Sequence, residues 1–204
     1  MGKVALVERL TDGTACQGDD CAVIDGTGNR LTLINNQTLV EGVNFDMTYT
    51  PLKHLGYKAV AVAISNIAAM NGTPHQVLVS VAVSNRYSVE ALDELYAGIR
   101  LCCERYHADL VGGETGTSRA GMVLTVTAVG DVERDCVAYR HGASHNDLIC
   151  CTGDLGSAYA GLLVLEREKV TYQANPDFQP DLDGYDYVLE RFLKPEPRLD
   201  IVKK

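Results

Sequence analysis

Apolar and polar positions change period along this chain of 204 residues, and each change marks an element. Residues 21–25 and 31–35 are two short apolar runs around Gly26-Thr27-Gly28-Asn29, which predicts two strands joined by a turn. From Pro51, apolar residues recur at helical spacing (Leu55, Ala59, Val62, Ala63, Ile67, Met70), and Asn71-Gly72 ends the pattern. Val77 to Val83 reads as a β-branched strand. Ser88 can cap the next helix, Glu90 lies in its first turn, and Leu92, Leu95, Ile99, Cys102 and Tyr106 form its apolar face.

Leu110-Val111 then leads as a short strand into Gly112-Gly113, and Met122 to Val129 is a further strand. The polar stretch Asp131 to Asp135 reads as a domain boundary. Leu148 to Thr152 is predicted as a strand, and a helix is predicted from Gly153-Asp154-Leu155-Gly156-Ser157 to about Glu168. Residues 171–187 read as a loop, and Tyr187 to Leu193 as a short helix ended by Pro195. This mixed order predicts an α+β fold of two layers, a mixed sheet with helices on one face. Residues 1–135 form the first domain in this reading, and residues 136–204 begin a second.

Composition narrows the function. The chain carries 18 Lys and Arg against 27 Asp and Glu, a formal charge of −9, and no basic stripe. Such a surface repels nucleic acids and anionic membranes, so neither is an expected partner. No apolar run is long enough to span a bilayer, and no signal peptide is visible. The seven cysteines include no CxxC pair, and Cys102-Cys103 and Cys150-Cys151 are sequence neighbours. They read as ordinary thiols, Cys16, Cys21 and Cys136 among them, in a reducing cytoplasm.

Three glycine-rich motifs can carry chemistry. Gly18-Asp19-Asp20 can hold a hard cation through its carboxylates, or be a solvated acidic turn. In Gly112-Gly113-Glu114-Thr115 the glycines let backbone approach a ligand, or make a tight turn. Gly153-Asp154-Leu155-Gly156-Ser157, at a strand-to-helix junction, offers N–H groups to an anion or packs a helix closely. It is neither a Walker A loop nor a convincing dinucleotide fingerprint. His141 and His145 read as surface histidines, as do His54, His75 and His107.

The order of the motifs is more specific than any one of them. Gly18-Asp19-Asp20-Cys21-Ala22-Val23 is followed by Leu39-Val40-Glu41-Gly42-Val43-Asn44-Phe45 and Leu55-Gly56-Tyr57-Lys58-Ala59-Val60-Ala61-Val62. Then come Ala68-Ala69-Met70, Leu110-Val111-Gly112-Gly113-Glu114-Thr115, Arg140-His141-Gly142-Ala143 and Thr152-Gly153-Asp154-Leu155-Gly156. Over residues 18–198 this series resembles the thiamine-monophosphate kinases, of the aminoimidazole-ribonucleotide-synthetase-like superfamily. The resemblance implies an enzyme that uses ATP and Mg²⁺ to phosphorylate thiamine monophosphate to thiamine diphosphate. It implies a homodimer joined through the N-terminal domain, an ATP- and metal-binding cleft between two α/β domains, and a second domain longer than residues 136–204.

The resemblance also implies a site. Asp20 matches a metal ligand, and Arg140 a nucleotide-binding arginine. Asn36-Gln37 stands where the family has Thr-Asp, Asn66 where it has a metal-binding Asp, and Glu114 where it has an Asp shared by metal and nucleotide beside Gly113. Asn44 replaces a substrate-contacting His. The expected metal set is therefore Asp20, Asn36, Gln37, Asn66 and Glu114. ATP is expected at Gly113, Glu114 and Arg140, and substrate at Asn44. Each lost carboxylate removes about 4 kcal/mol of attraction per charge pair at 4 Å, before solvation cancels part of it. Three readings follow: a working kinase, an impaired homologue that binds nucleotide or a protein partner without turnover, or a relative with a different substrate, which Asn44 suits.

Overall fold

The computed structural model describes residues 2–14, 18–177 and 179–202. Cys16, Lys203 and Lys204 lie outside these.

Five strands form one sheet: β1 (Ala22–Asp25), β2 (Arg30–Val40), β3 (Thr73–Val83), β4 (Asp109–Thr117) and β5 (Val123–Glu133). Their order across the sheet is β1-β2-β5-β3-β4. Only β3 and β4 run parallel, which makes the sheet mixed, as predicted. β1 and β2 are the expected hairpin, with Gly28 at φ +66° in its turn. β2 runs to Val40, well past the apolar run. Its polar residues Asn36 and Thr38 point to the sheet's outer face, where they bond Thr127 Oγ1 at 2.9 Å and Thr125 Oγ1 at 3.1 Å.

Odd-numbered residues of β2 and β3 (Leu31, Leu33, Leu39, Val77, Val79, Val81) face the other way and are buried, as are the even-numbered Leu124, Val126 and Ala128 of β5. This is the period-two alternation of a sheet covered on one side. Helix α2 (Leu52–Ala69) lies on that side. It buries Leu55, Val60, Ile64 and Ile67, and α3 (Val89–Tyr106) packs against it through Leu95, Ile99 and Cys102. The α2–α3 crossing is tight because Gly56 and Gly98 meet backbone: a Cβ on Gly98 would lie 1.8 Å from Lys53 O. The Ser88 hydroxyl caps α3 by accepting from Ala91 N at 3.2 Å, as its position predicted.

Several expectations are corrected. Helix α1 (Lys3–Thr11) precedes the first motif, where no element is predicted from the sequence. Gly112 to Thr115 are not a turn but lie within β4, bonded along β3. Residues 148–152 form no strand, and Leu148 and Ile149 are 90% and 101% exposed. A strand exists only when a neighbour takes its backbone hydrogen bonds, and no described strand lies beside this segment. Helix α4 (Ser157–Ala174) runs past Glu168 into the predicted loop. Helix α5 (Asp186–Leu193) packs on it and matches the predicted one, and α6 (Leu199–Val202) follows. A 3₁₀ turn, Arg134–Cys136, sits at the predicted boundary.

Candidate active site

The Gly18-Asp19-Asp20 loop enters β1 under the C-terminal turn of α2. Three bonds hold it there. Cys21 N–H donates to Met70 Sδ at 3.2 Å, the Cys21 thiol donates to the Asn66 carbonyl at 3.3 Å, and Asn35 Nδ2 donates to the Asp20 carbonyl at 2.7 Å. Burial, with Asp20 and Asp19 nearby, pushes the Cys21 thiol up to about 12, so it stays protonated and structural. Asn35 Oδ1 is buried with no hydrogen-bond partner. No sequence motif pointed to Asn35; its signal was a polar residue on the buried side of a strand.

Arg140 closes on this loop from a segment 120 residues later. Its guanidinium pairs with the Asp20 carboxylate, with Nε 3.3 Å from Oδ2, and its backbone N–H donates to Asp19 Oδ2 at 3.1 Å. The Asp19 side chain is only 4% exposed. Asp20 and Arg140, the two residues that match the family pattern, are thus bonded to each other. The positive charge that neutralises Asp20 belongs to the protein.

Gln37 lies two residues beyond Asn35 on the same, helix-facing side of β2. Asn36 lies on the opposite face and bonds Thr127. Register partners run in one row across the sheet from Gln37 to Val126, Val79 and Gly113. That row crosses three strand spacings, about 14 Å. Glu114, beside Gly113 on edge strand β4, is therefore far across the sheet from Gln37, and its register partner is Ser80. Gly113 has φ +150°, and a Cβ there would lie 1.8 Å from Val79 O, so the position requires glycine. Among the described residues, no three His, Cys, Asp or Glu side chains lie together so as to hold a metal ion. What converges is two carboxylates, Asp19 and Asp20, both already engaged by Arg140. This set does not make a resident Mg²⁺ site, which wants several hard, charged oxygens.

Asn44 sits elsewhere, in the turn after β2, where its Oδ1 accepts from Val40 N at 2.9 Å. It lines a cavity of about 310 Å³ with Asp46, Tyr49, Glu166, Lys169 and Phe192. Lys169 Nζ lies 2.8 Å from Asp46 and 3.4 Å from Glu166, and Tyr49 OH donates to Glu166 at 2.7 Å. Burial alone would raise the Asp46 carboxyl. The Lys169 and Thr48 bonds outweigh it and hold the group at about 2. The same Tyr49 and Lys169 border an apolar cavity of about 420 Å³ between α4 and α5, with Leu165, Leu182 and Leu189. Apart from Asn44, none of these residues was a sequence candidate, because no local motif joins the 44–49 turn to α4.

The remaining motifs serve structure in this conformation. Asp154 of the third glycine motif accepts from Tyr187 OH and so ties the start of α4 to α5. Both histidines of the 141–145 segment are exposed, and His141 stacks on Tyr139 at 5.4 Å between ring centroids.

Comparison with known proteins agrees with this layout. The family model for the N-terminal domain of AIR synthase related proteins matches residues 18–132. The thiamine-monophosphate kinase of Bacillus subtilis (strain 168) is 36% identical over 184 residues, which are 90% of this chain and 54% of that protein. The enzyme of that name from Aquifex aeolicus (strain VF5) is 31% identical over 202 residues, 99% of this chain and 61% of its own length. The solved structure of AaThiL complexed with AMPPCP and TMP superposes with a TM-score of 0.82 at 27% identity, covering 98% of this chain and 60% of that one. The chain thus spans little more than half the length of the curated relatives it matches, and over that span it belongs to the AIR synthase related protein family, through the family's N-terminal domain.

Proposed function

We propose that this chain is the nucleotide- and substrate-binding part of an ATP-dependent thiamine-monophosphate kinase. In that reaction the γ-phosphoryl group of ATP passes to the phosphate of thiamine monophosphate, giving ADP and thiamine diphosphate. The carrying observation is the convergence of Asp20 and Arg140 in a fold that matches AaThiL complexed with AMPPCP and TMP. Arg140 is placed to release Asp20 and take a nucleotide phosphate. The Asn44 cavity offers the aromatic rings of Phe45, Tyr49 and Phe192 and the carboxylates of Asp46 and Glu166, a lining suited to the cationic heterocycle of a thiamine ester. Mg²⁺ enters with ATP as part of the substrate, and no step here depends on a resident ion.

The fuller picture is part of the same proposal. Residues 1–135 make the nucleotide-binding and dimerisation domain, residues 136–204 begin a second domain, and the family match ending at residue 132 supports that division. The outer face of the sheet, with Leu78 and Val40 exposed on it, is the surface offered for a homodimer. The free thiols Cys21, Cys102, Cys103, Cys136, Cys150 and Cys151 suit the cytoplasm.

Calorimetric titration with AMPPCP and Mg²⁺ tests the reading, with Q37D/N66D as the partner measurement. The native chain is expected to bind the nucleotide with weak Mg²⁺ dependence. The double variant should strengthen Mg²⁺-linked binding at least about tenfold, or about 1.4 kcal/mol. N36D, on the other face of β2, should stay within about twofold of the native chain; if it matches Q37D, the facing of β2 is misread. No nucleotide binding by either the native chain or the double variant overturns the proposal.

A second reading has its own support, the Arg140–Asp20 pair beside amides at Gln37 and Asn66. It describes a homologue that binds nucleotide without turnover. Thiamine diphosphate formed by Q37D/N66D but not by the native chain favours it, and formation by the native chain excludes it.

A further inference from the structure

Most cations near the Asn44 cavity are paired. Lys169 has Asp46 and Glu166, Lys194 has Glu190 and Glu196, and Arg167 has Glu168. Lys58, on α2, has no carboxylate within ion-pair distance among the described residues. Its Nζ lies 3.9 Å from the centroid of the Phe192 ring, the same ring that lines the cavity. A ring face attracts an ammonium but does not cancel its charge. Burial pulls the Lys58 ammonium down to about 8, the direction expected for a cation shielded from water without an anion.

Position gives that vacancy a meaning. Lys58, Val62 and Asn66 recur at intervals of four residues, so they share one face of α2. Lys58 and Asn66 stand about 12 Å apart along it. Asn66 is the residue whose carbonyl holds the Asp20 loop. A ligand whose ring fills the Asn44 cavity and whose tail passes Lys58 therefore points its far end toward the Asp20–Arg140 pair.

We propose that Lys58 is the anion-recognising residue of this cleft, pairing with the phosphate ester of a ligand whose ring lies in the Asn44 cavity. The proposal rests on the reading of that cavity as the substrate site, and it goes further by naming the residue that separates phosphorylated from unphosphorylated ligand. Lys58 is a specificity residue in this role. It supplies charge and direction to the phosphate and needs no proton transfer.

The test maps acylation of lysines in the whole chain by mass spectrometry near pH 8, with thiamine monophosphate, thiamine or inorganic pyrophosphate present. Thiamine monophosphate should slow labelling of Lys58 at least tenfold, and thiamine by less than twofold, with Lys53 unchanged as internal control. Lys58→Gln should weaken thiamine monophosphate at least tenfold in calorimetry and leave thiamine within twofold, and Lys58→Arg should recover most of the loss. If thiamine monophosphate binds while Lys58 is labelled at an unchanged rate, the proposal is overturned and the cavity reading stands. If pyrophosphate shields Lys58 while neither thiamine compound binds, the cavity reading fails and the anion site stands. If no anion shields Lys58, or Lys58→Gln weakens both thiamine ligands alike, the proposal is wrong.

Discussion

The α2–α3 and α4–α5 crossings are built alike and surrounded differently. Each brings two helices together over glycine. A Cβ on Gly98 would lie 1.8 Å from Lys53 O, and a Cβ on Gly161 would lie 2.1 Å from Val188 O. The α2–α3 pair lies on a five-stranded sheet and belongs to one continuous core with Leu33, Ile64, Val79 and Leu124. The α4–α5 pair holds a small cluster of its own, in which Val164, Leu165 and Leu189 are the buried members. Beyond that cluster α4 still carries Tyr159, Leu163 and Val170, all exposed. An apolar residue on every side is the signature of a helix that packs on more than one face. A helix crossing is therefore worth what lies behind it: the same glycine contact is rigid over a sheet and yielding without one.

The largest expected effect tests that contrast directly. Gly98→Ala forces two backbones apart inside a core that cannot relax, and should cost about 3 kcal/mol. Gly161→Ala makes the same clash in a pair that can shift, and should cost about 1 kcal/mol. Urea unfolding followed by circular dichroism measures both, and hydrogen exchange should show the Gly161→Ala loss confined to residues 157–193. Equal losses, spread over the whole chain, would break the distinction between the two regions.

A pH-dependent bond joins the regions. Asp46, in the turn before α2, reaches Lys169 of α4. Its side chain is 24% exposed. Its folded carboxyl is held at about 2, against 3.8 for the free group. The folded pKa is the lower one, so this stability is present above about pH 4 and disappears as pH falls from 3.8 toward 2. Its size is on the order of 2 kcal/mol at most, since solvent reaches part of the pair. The gap between native chain and Asp46→Asn should therefore approach this value at pH 6 and close near pH 2. A gap that stays constant across that range would remove the ionic explanation for how α4 is held.

These differences also explain what the sequence made legible. Helices α2 and α3 and strands β3 and β5 announce themselves because each presents an unbroken apolar period to a covered face. Ser88 and Asn71 mark helix ends by local chemistry, and Asn71 indeed stands at φ 61°. The strand expected at 148–152 is absent because apolar character alone cannot supply a hydrogen-bonding neighbour. The glycines of strand β4 resemble a ligand loop, whereas its hydrogen bonds come from β3, whose Val79 is the register partner of Gly113. Family order picked out both Asp20 and Arg140, but not that they meet. Asp46, Tyr49, Glu166 and Lys169 had no motif at all, since their cavity exists only once α4 lies against the 44–49 turn. Local residues write elements into a sequence, and tertiary contacts write sites.

The smallest expected effect probes the open side of α4. Leu163 is exposed, so replacing it with Lys removes little buried area and should change unfolding free energy by less than about 0.5 kcal/mol. Leu165, two residues on, faces α5 and is buried. Leu165→Ala should cost about 2 kcal/mol, at the low end for a buried leucine because this small cluster can collapse around the gap. The pair of substitutions asks one question of two sides of a single helix. If Leu163→Lys proves as costly as Leu165→Ala, α4 is covered on both sides in solution, and the contrast between the two crossings is one of partner rather than of strength. Concentration dependence of that cost separates the sources: a loss that shrinks with dilution means a second molecule covers Leu163, and one independent of concentration means the chain covers it itself.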